Sequence, residues 1–383
     1  MNNYNKRPFL PSIQRTSTLV YLSLLSIICF LIPMNTRKIE ISSSYDSKIV
    51  AAKLMENSLK ILKDYRLENS VFIDLENDPN ETGLVGEPYS LITTDEGDLD
   101  AKLTTLDPNF SAVIVDLMYQ LNLNKNDTVA VMLTGSMPGA NIAVLSACKA
   151  MGVIPVIISS IGASQWGANK IDFTWLDMEN ILYKNNLISN RSIASSIGGR
   201  NDMGRLLSPA GRKIITDNIT KHKLPIIKEK RLADNIEKRL EIYNSYLPIK
   251  NYKAVLNVGG GVASLGTSFN LKLLPPGIVK RSDILEIGKT DGIEGTFSKI
   301  INHNIYGVHI LNIRSLIEKY NLPFAPIPIP RIGEGSLYSE ERYNLLVVGL
   351  CLFIISATVS YIGFQSKKQI KEHLIKYEPD SLL

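Results

Sequence analysis

Cysteine, histidine and tryptophan are scarce in this chain, with three, four and two copies in 383 residues. Cys29 and Cys351 fall inside long uncharged stretches, so Cys148 is alone in the rest of the sequence. An intradomain disulfide and a cysteine-rich zinc site are thereby excluded. His303 and His309, in HNIYGVH, lack a metal-ligand spacing, and His309 on its apolar run reads as a core histidine. No metal and no cofactor are expected. Net charge is scarce too. The formal value is +5, but residues 1–15 hold Lys6, Arg7 and Arg15 with no acid, and the segment after Ser366 is also basic. The middle is close to neutral. It lacks the basic footprint of a nucleic-acid binder and any general field that would gather a polyanion, although local basic patches stay open.

What the chain has instead is two long apolar runs, Thr16 to Thr36 and Tyr343 to Ser366, each without a charged residue. About 20 apolar residues span a bilayer core as a helix. Lys6, Arg7 and Arg15 precede the first run, and Lys367, Lys368 and Lys371 follow the second. The positive-inside rule puts both termini, 1–15 and 367–383, in the cytoplasm and residues 37–342 on the other side. A cleaved secretory signal competes for the first run, but Ile32-Pro33-Met34-Asn35-Thr36 offers no small-x-small cleavage site. A retained signal-anchor is the expectation. With no charged group inside either run, nothing marks an ion path.

The middle is long enough to bury its own core, as one unit or two lobes. Ser42-Ser43-Ser44 is placed to cap a helix through about Tyr65, with Ala52, Met55, Leu59 and Leu62 on one face. The stretch 76–99 is loop-like, and Asp107-Pro108 opens a helix to about Leu121. Then come a buried strand at Thr128–Leu133, a turn at Thr134–Gly139, a helix at Asn141–Met151 and a strand at Val153–Ser159. Strand, tight loop, helix, strand is the unit of parallel sheets. Ala254–Val258 and Gly307–Ile313 are further strands. The predicted fold is α/β, a parallel or mixed sheet with helices on both faces, flanked by two transmembrane helices. The proline-rich stretch 322–335 reads as an extended spacer leading to the second span. In SQWGANKIDFTWLDME (164–179), the tryptophans flank a polar segment that reads as an anchored loop.

Three glycine-rich loops fall where such a sheet presents a site, at the carboxyl ends of strands. The first, 134–141, offers Gly135, Gly139 and Asn141 around Ser136, a candidate nucleophile or ligand; a turn with a helix cap accounts for it equally well. The second, 195–204, packs Ser196, Gly198, Gly199, Arg200 and Asp202 together. Arg200 suits a carboxylate, and Asp202 suits a base or ligand, against the alternative of a solvated loop. The third, 259–268, contains Gly259, Gly260, Gly261 and Ser264. Its P-loop spacing has Thr267 in the lysine position, and Ser264 replaces a glycine of the dinucleotide pattern, so nucleotide binding is not expected. A nest of N–H groups suited to a carboxylate remains. A triad of Ser136, Asp202 and His309 depends on geometry.

The segments 90–112, VAVMLTGSMPGANIAVLSACKAMGV (129–153), 164–179, SSIGGRNDMGRLLSPAGR (195–212) and VGGGVASLG (258–266) together resemble the poly-gamma-glutamate system protein family. The resemblance implies a membrane-bound accessory role in making and exporting poly-gamma-glutamate, an anionic capsule or secreted polymer. It implies no catalytic residues. The polymer, its synthase or its export subunits are the expected partners. The alternative is an extracytoplasmic hydrolase or transferase that trims or releases the polymer. Convergence of the three loops on one cleft favours that alternative, and scattering removes it.

Overall fold

In the computed structural model, residues 9–69, 72–287 and 292–377 are described. Lys6 and Arg7 of the predicted basic tail, and the acids Glu378 and Asp380, lie outside the described residues. The chain forms two compact units, one built from its two ends and one from Ser42–Tyr338.

In the end unit, helices Thr16–Asn35 and Leu345–Tyr377 pack on each other. Their apolar side chains, among them Leu24, Phe30, Leu352 and Phe353, point outward unpartnered. Both helices are long and apolar enough to cross a membrane. Lys38–Ile41 pairs antiparallel with Ser339–Arg342, and at the far end Ser12 Oγ donates to Gln369 Oε1 at 2.8 Å. The two helices thus run antiparallel, with both outer ends together. This fits a two-span membrane protein.

Within Ser42–Tyr338 one sheet runs through the unit. Its strands are β1 (Thr128–Thr134), β2 (Ile154–Ser160), β3 (Ser192–Ser196), β4 (Ile226–Ile227), β5 (Ala254–Val258), β6 (Gly277–Val279) and β7 (Tyr306–Ile310). Among the described residues the sheet has seven strands in the order β4-β3-β2-β1-β5-β7-β6. All neighbours are parallel except β6, which is antiparallel to β7. Alternation explains the layers. Val129, Val131 and Leu133 enter one core and Ala130 and Met132 the other, so both faces of β1 are buried. Helices α1 (Tyr45–Glu68), α2 (Leu99–Thr105), α3 (Asn109–Gln120), α4 (Pro138–Met151), α5 (Trp175–Lys184) and α6 (Pro209–Lys221) share the first core, with α1 packed on α3 and α4. Helices α7 (Leu232–Tyr246) and α8 (Thr296–Ile301) cover the other face. The α/β class with helices on both faces is therefore observed.

Three local readings change. Ser195 and Ser196, the start of the expected loop, end a strand, Ser192–Ser196. Its serines carry no hydrophobic signal, yet the strand is buried, with the Ser192 hydroxyl 2.7 Å from Ser159 Oγ and the Ser196 hydroxyl 3.1 Å from Ser160 Oγ. Trp175 is the first residue of α5, which starts at a capping box between Thr174 and Asp177. The proline-rich stretch is docked: Ala325 N–H donates to Thr104 Oγ1 at 2.8 Å, and Asn80 Nδ2 donates to Pro326 O at 2.8 Å.

From β1 the chain winds outward through β2, β3 and β4, then returns to lay β5 and β7 on the other side of β1. The loops leaving β1 and β5 consequently part in opposite directions. A crevice opens between their carboxyl ends, where open α/β sheets bind ligands.

Candidate functional site

A cleft of about 1120 Å³ lies at that crevice. The three predicted loops meet there, since Ser136, Gly199, Arg200, Asp202, Gly259, Gly260 and Gly261 all line it.

The turn after β1 is held tightly. Gly135 N–H donates to Ser160 O at 2.8 Å, and a Cβ on Gly135 would stand 2.3 Å from Ile161 O. Glycine is needed for that approach. Asn141 is fully buried, and its Nδ2 donates to Thr134 O at 2.8 Å, fastening the turn to α4. Gly139 faces Thr105 of α2, where a Cβ would come within 2.5 Å of the carbonyl oxygen. Asn141 and Gly139 thus position the turn without lining the cleft. Ser136 Oγ accepts the backbone N–H of Ser164 at 2.9 Å.

Beyond β3, Gly198 and Gly199 adopt φ of +82° and +66°, the left-handed region that favours glycine. This reversal folds Asp202 back beneath the loop, only 1% exposed. Its Oδ1 accepts hydrogen bonds from Ser196 Oγ at 2.7 Å and Ser160 Oγ at 3.2 Å, and its Oδ2 accepts one from Arg239 Nη2 at 2.9 Å. Arg239, from α7, also donates to Ser196 Oγ at 2.7 Å. Asp202 is accordingly locked in a buried ion pair, a poor position for a proton-accepting base. Arg200 points outward and is exposed.

After β5, Gly259 has φ +82°, and a Cβ there would lie 2.4 Å from Thr134 Oγ1. The glycine therefore lets the β5 loop close on the β1 turn. Ser264 is buried in the short helix Val262–Leu265 and does not line the cleft.

His309 is 2% exposed and borders the cleft floor. Its Nδ1 lies 3.2 Å from Asn257 Nδ2, and burial pushes its pKa down to about 4, so the ring is neutral at physiological pH. Ser136, Asp202 and His309 make no hydrogen bonds with one another among the described residues, and no triad exists.

Sequence reading missed Lys102, Ser164 and the acidic segment Asp95, Glu96 and Asp98, all lining the cleft. Lys102 is 5% exposed. Its Nζ donates to Ser164 Oγ at 2.9 Å, to Met137 Sδ at 3.3 Å and to the carbonyl of Ser136. Burial lowers its pKa to about 8, with Asp98 partly opposing the shift. The hydroxyl in reach of an amine is that of Ser164, not Ser136. The one sequence signal was Asp98, which caps α2 by accepting Ala101 N–H at 3.2 Å and so starts the short helix that carries Lys102.

Three exposed cations on the cleft wall, Arg200, Lys272 and Arg314, have no carboxylate partner among the described residues. Arg314 stacks 3.8 Å over the Phe324 ring. They follow β3, β5 and β7 respectively, and the strands β3 and β7 lie four spacings apart in the sheet, roughly 19 Å at ~4.8 Å per strand. No group of metal-binding side chains occurs among the described residues. No family profile, curated protein or solved structure matches this chain.

Proposed function

We propose that this chain is a membrane-anchored component of poly-gamma-glutamate synthesis and export, and that its cleft takes up the polymer. In this reading the two apolar helices anchor it with both termini cytoplasmic, and Ser42–Tyr338 works outside the membrane. Arg15 before the first helix and Lys367, Lys368 and Lys371 near the end of the second support that orientation.

The observation that carries the proposal is the convergence of three loops on one cleft, with three exposed cations spread across it that have no carboxylate partner among the described residues. Poly-gamma-glutamate presents a carboxylate on every residue, joined by amide links. Arg200 and Arg314 suit carboxylates through their planar forks, and Lys272 adds a point charge between them. The acidic segment 95–98 limits how much of an anionic chain settles on that wall, which favours a short stretch or an end over a long wrap. A scaffold that never touches the polymer has no need of such a cleft.

The experiment uses the full chain in detergent, mixed with poly-gamma-glutamate and followed by size-exclusion with light scattering. Co-elution at low salt that weakens as salt rises supports the reading. Separate elution at low salt, with the protein folded, sinks it.

A further inference from the structure

We propose that Ser164 is a nucleophile and Lys102 its general base, forming a serine–lysine pair that cleaves or transfers an amide-linked acyl group in the cleft. This assignment rests on the reading of the cleft as the polymer's site and adds a reaction to it.

Geometry carries the argument. Lys102 Nζ stands 2.9 Å from Ser164 Oγ, within range for a proton transfer. The amine is buried and has no ion-pair partner among the described residues, whereas Arg239, also buried, has Asp202. A buried lysine hydrogen-bonded only to neutral groups is the one that can lose its proton near neutral pH. The resolved charge acting on it is Asp98 at the start of its own helix; Ser136, Met137 and Ser164 face it from the other elements with uncharged atoms. Ser136 Oγ accepts Ser164 N–H at 2.9 Å and thereby fixes the nucleophile's backbone, a positioning role.

The step balances without a metal or redox partner. Neutral Lys102 takes the proton from Ser164 Oγ as the oxygen bonds to the amide carbonyl carbon. The C–N bond then breaks, and the lysine ammonium gives its proton to the departing amine. Water, or an amine acceptor, attacks the resulting serine ester while Lys102 takes its proton. The ester C–O bond breaks, and Ser164 recovers a proton from Lys102.

The test uses the full chain in detergent with a fluorophosphonate probe, the adduct being located by peptide mass spectrometry. An adduct on Ser164 is expected, absent in Ser164→Ala, slowed more than tenfold in Lys102→Gln, and forming faster as pH rises through about 8. A second variant, Ser164→Cys, guards against a folding failure. Beside the Lys102 ammonium its thiol should react with iodoacetamide at a pH below the usual thiol range near 8.5. Adding Lys102→Gln should restore ordinary behaviour. An adduct elsewhere, or a Ser164→Cys thiol that titrates ordinarily, overturns the pair. Polymer co-elution measured on Ser164→Ala separates the two ideas. Binding without labelling in the unmodified chain defeats the pair alone, and labelling without binding defeats the polymer reading alone.

Discussion

Arg239 and Lys102 are both nearly without solvent, at 0% and 5% exposure, Lys102 in the cleft wall and Arg239 behind the cleft residue Asp202, yet of the two only Arg239 meets a carboxylate among the described residues. Around Arg239 a carboxylate and two hydroxyls, from Asp202, Ser196 and Ser160, gather on one guanidinium nitrogen, Nη2. Around Lys102 the turn after β1 and Ser164, beyond β2, supply only neutral acceptors. The first arrangement pairs its charge with an opposite one and fixes a loop. The second leaves a charge poorly compensated, which makes it easy to give up. A buried cation is a structural fixture or a chemical group according to what faces it.

The comparison breaks most visibly at Asp202. Asp202→Ala leaves the Arg239 guanidinium buried without its partner and should cost about 3–5 kcal/mol of stability. Trp166 and Trp175 are the chain's only tryptophans, both in the α/β unit, so their fluorescence in denaturant reads that unit. A loss under about 1 kcal/mol would mean that the pair does not hold the loop.

At Lys102 the prediction is a pH dependence of opposite character. Burial lowers its pKa from 10.5 to about 8, so between those values the unfolded chain holds a proton that the folded chain has released. Stability from this residue therefore rises with pH across that window, by about 3 kcal/mol in total, and the penalty is fully present below pH 8. Lys102→Met should flatten the slope between pH 8 and 10.5 and leave the protein no less stable at pH 7. An unchanged slope would show that the amine is better solvated than its burial implies.

Both arrangements need the turns set closely against one another, and Gly259 tests that. At φ +82°, with a Cβ destined for 2.4 Å from Thr134 Oγ1, Gly259→Ala combines backbone strain with a clash. A loss of about 1–3 kcal/mol is expected, together with weaker polymer co-elution because the β5 loop must lift from the β1 turn. Unaltered stability and co-elution would show the two loops to be independent.

The sheet's centre was legible because β1, β2 and β5 are apolar runs, each ending in a turn or glycine signal. The strand Ser192–Ser196 was not, because its burial depends on hydroxyl partners 33 to 36 residues away that no local pattern encodes. The same cause hid half of the site. Glycines announced the loops, so Ser136, Arg200 and Asp202 stood out. Lys102 and Ser164, 62 residues apart, look like a surface lysine and an ordinary loop serine until the fold joins them. Arg239 sits on a helix among Glu237, Lys238 and Glu241, and only packing distinguishes it from them.

The smallest effects are expected at the cations outside both buried arrangements. Arg200→Ala, Lys272→Ala and Arg314→Ala each remove an exposed charge with no carboxylate partner among the described residues, so stability should hardly move. Polymer affinity should fall about two- to five-fold for each, as for exposed ion pairs, and the loss should vanish at high salt. Because the three stand on separate loops, their effects should multiply in the triple variant. Ser164 labelling by a small neutral probe should survive all three, since none approaches Lys102. Loss of labelling in any of them would merge the regions contrasted here, making polymer binding and the state of the buried amine one coupled property instead of two.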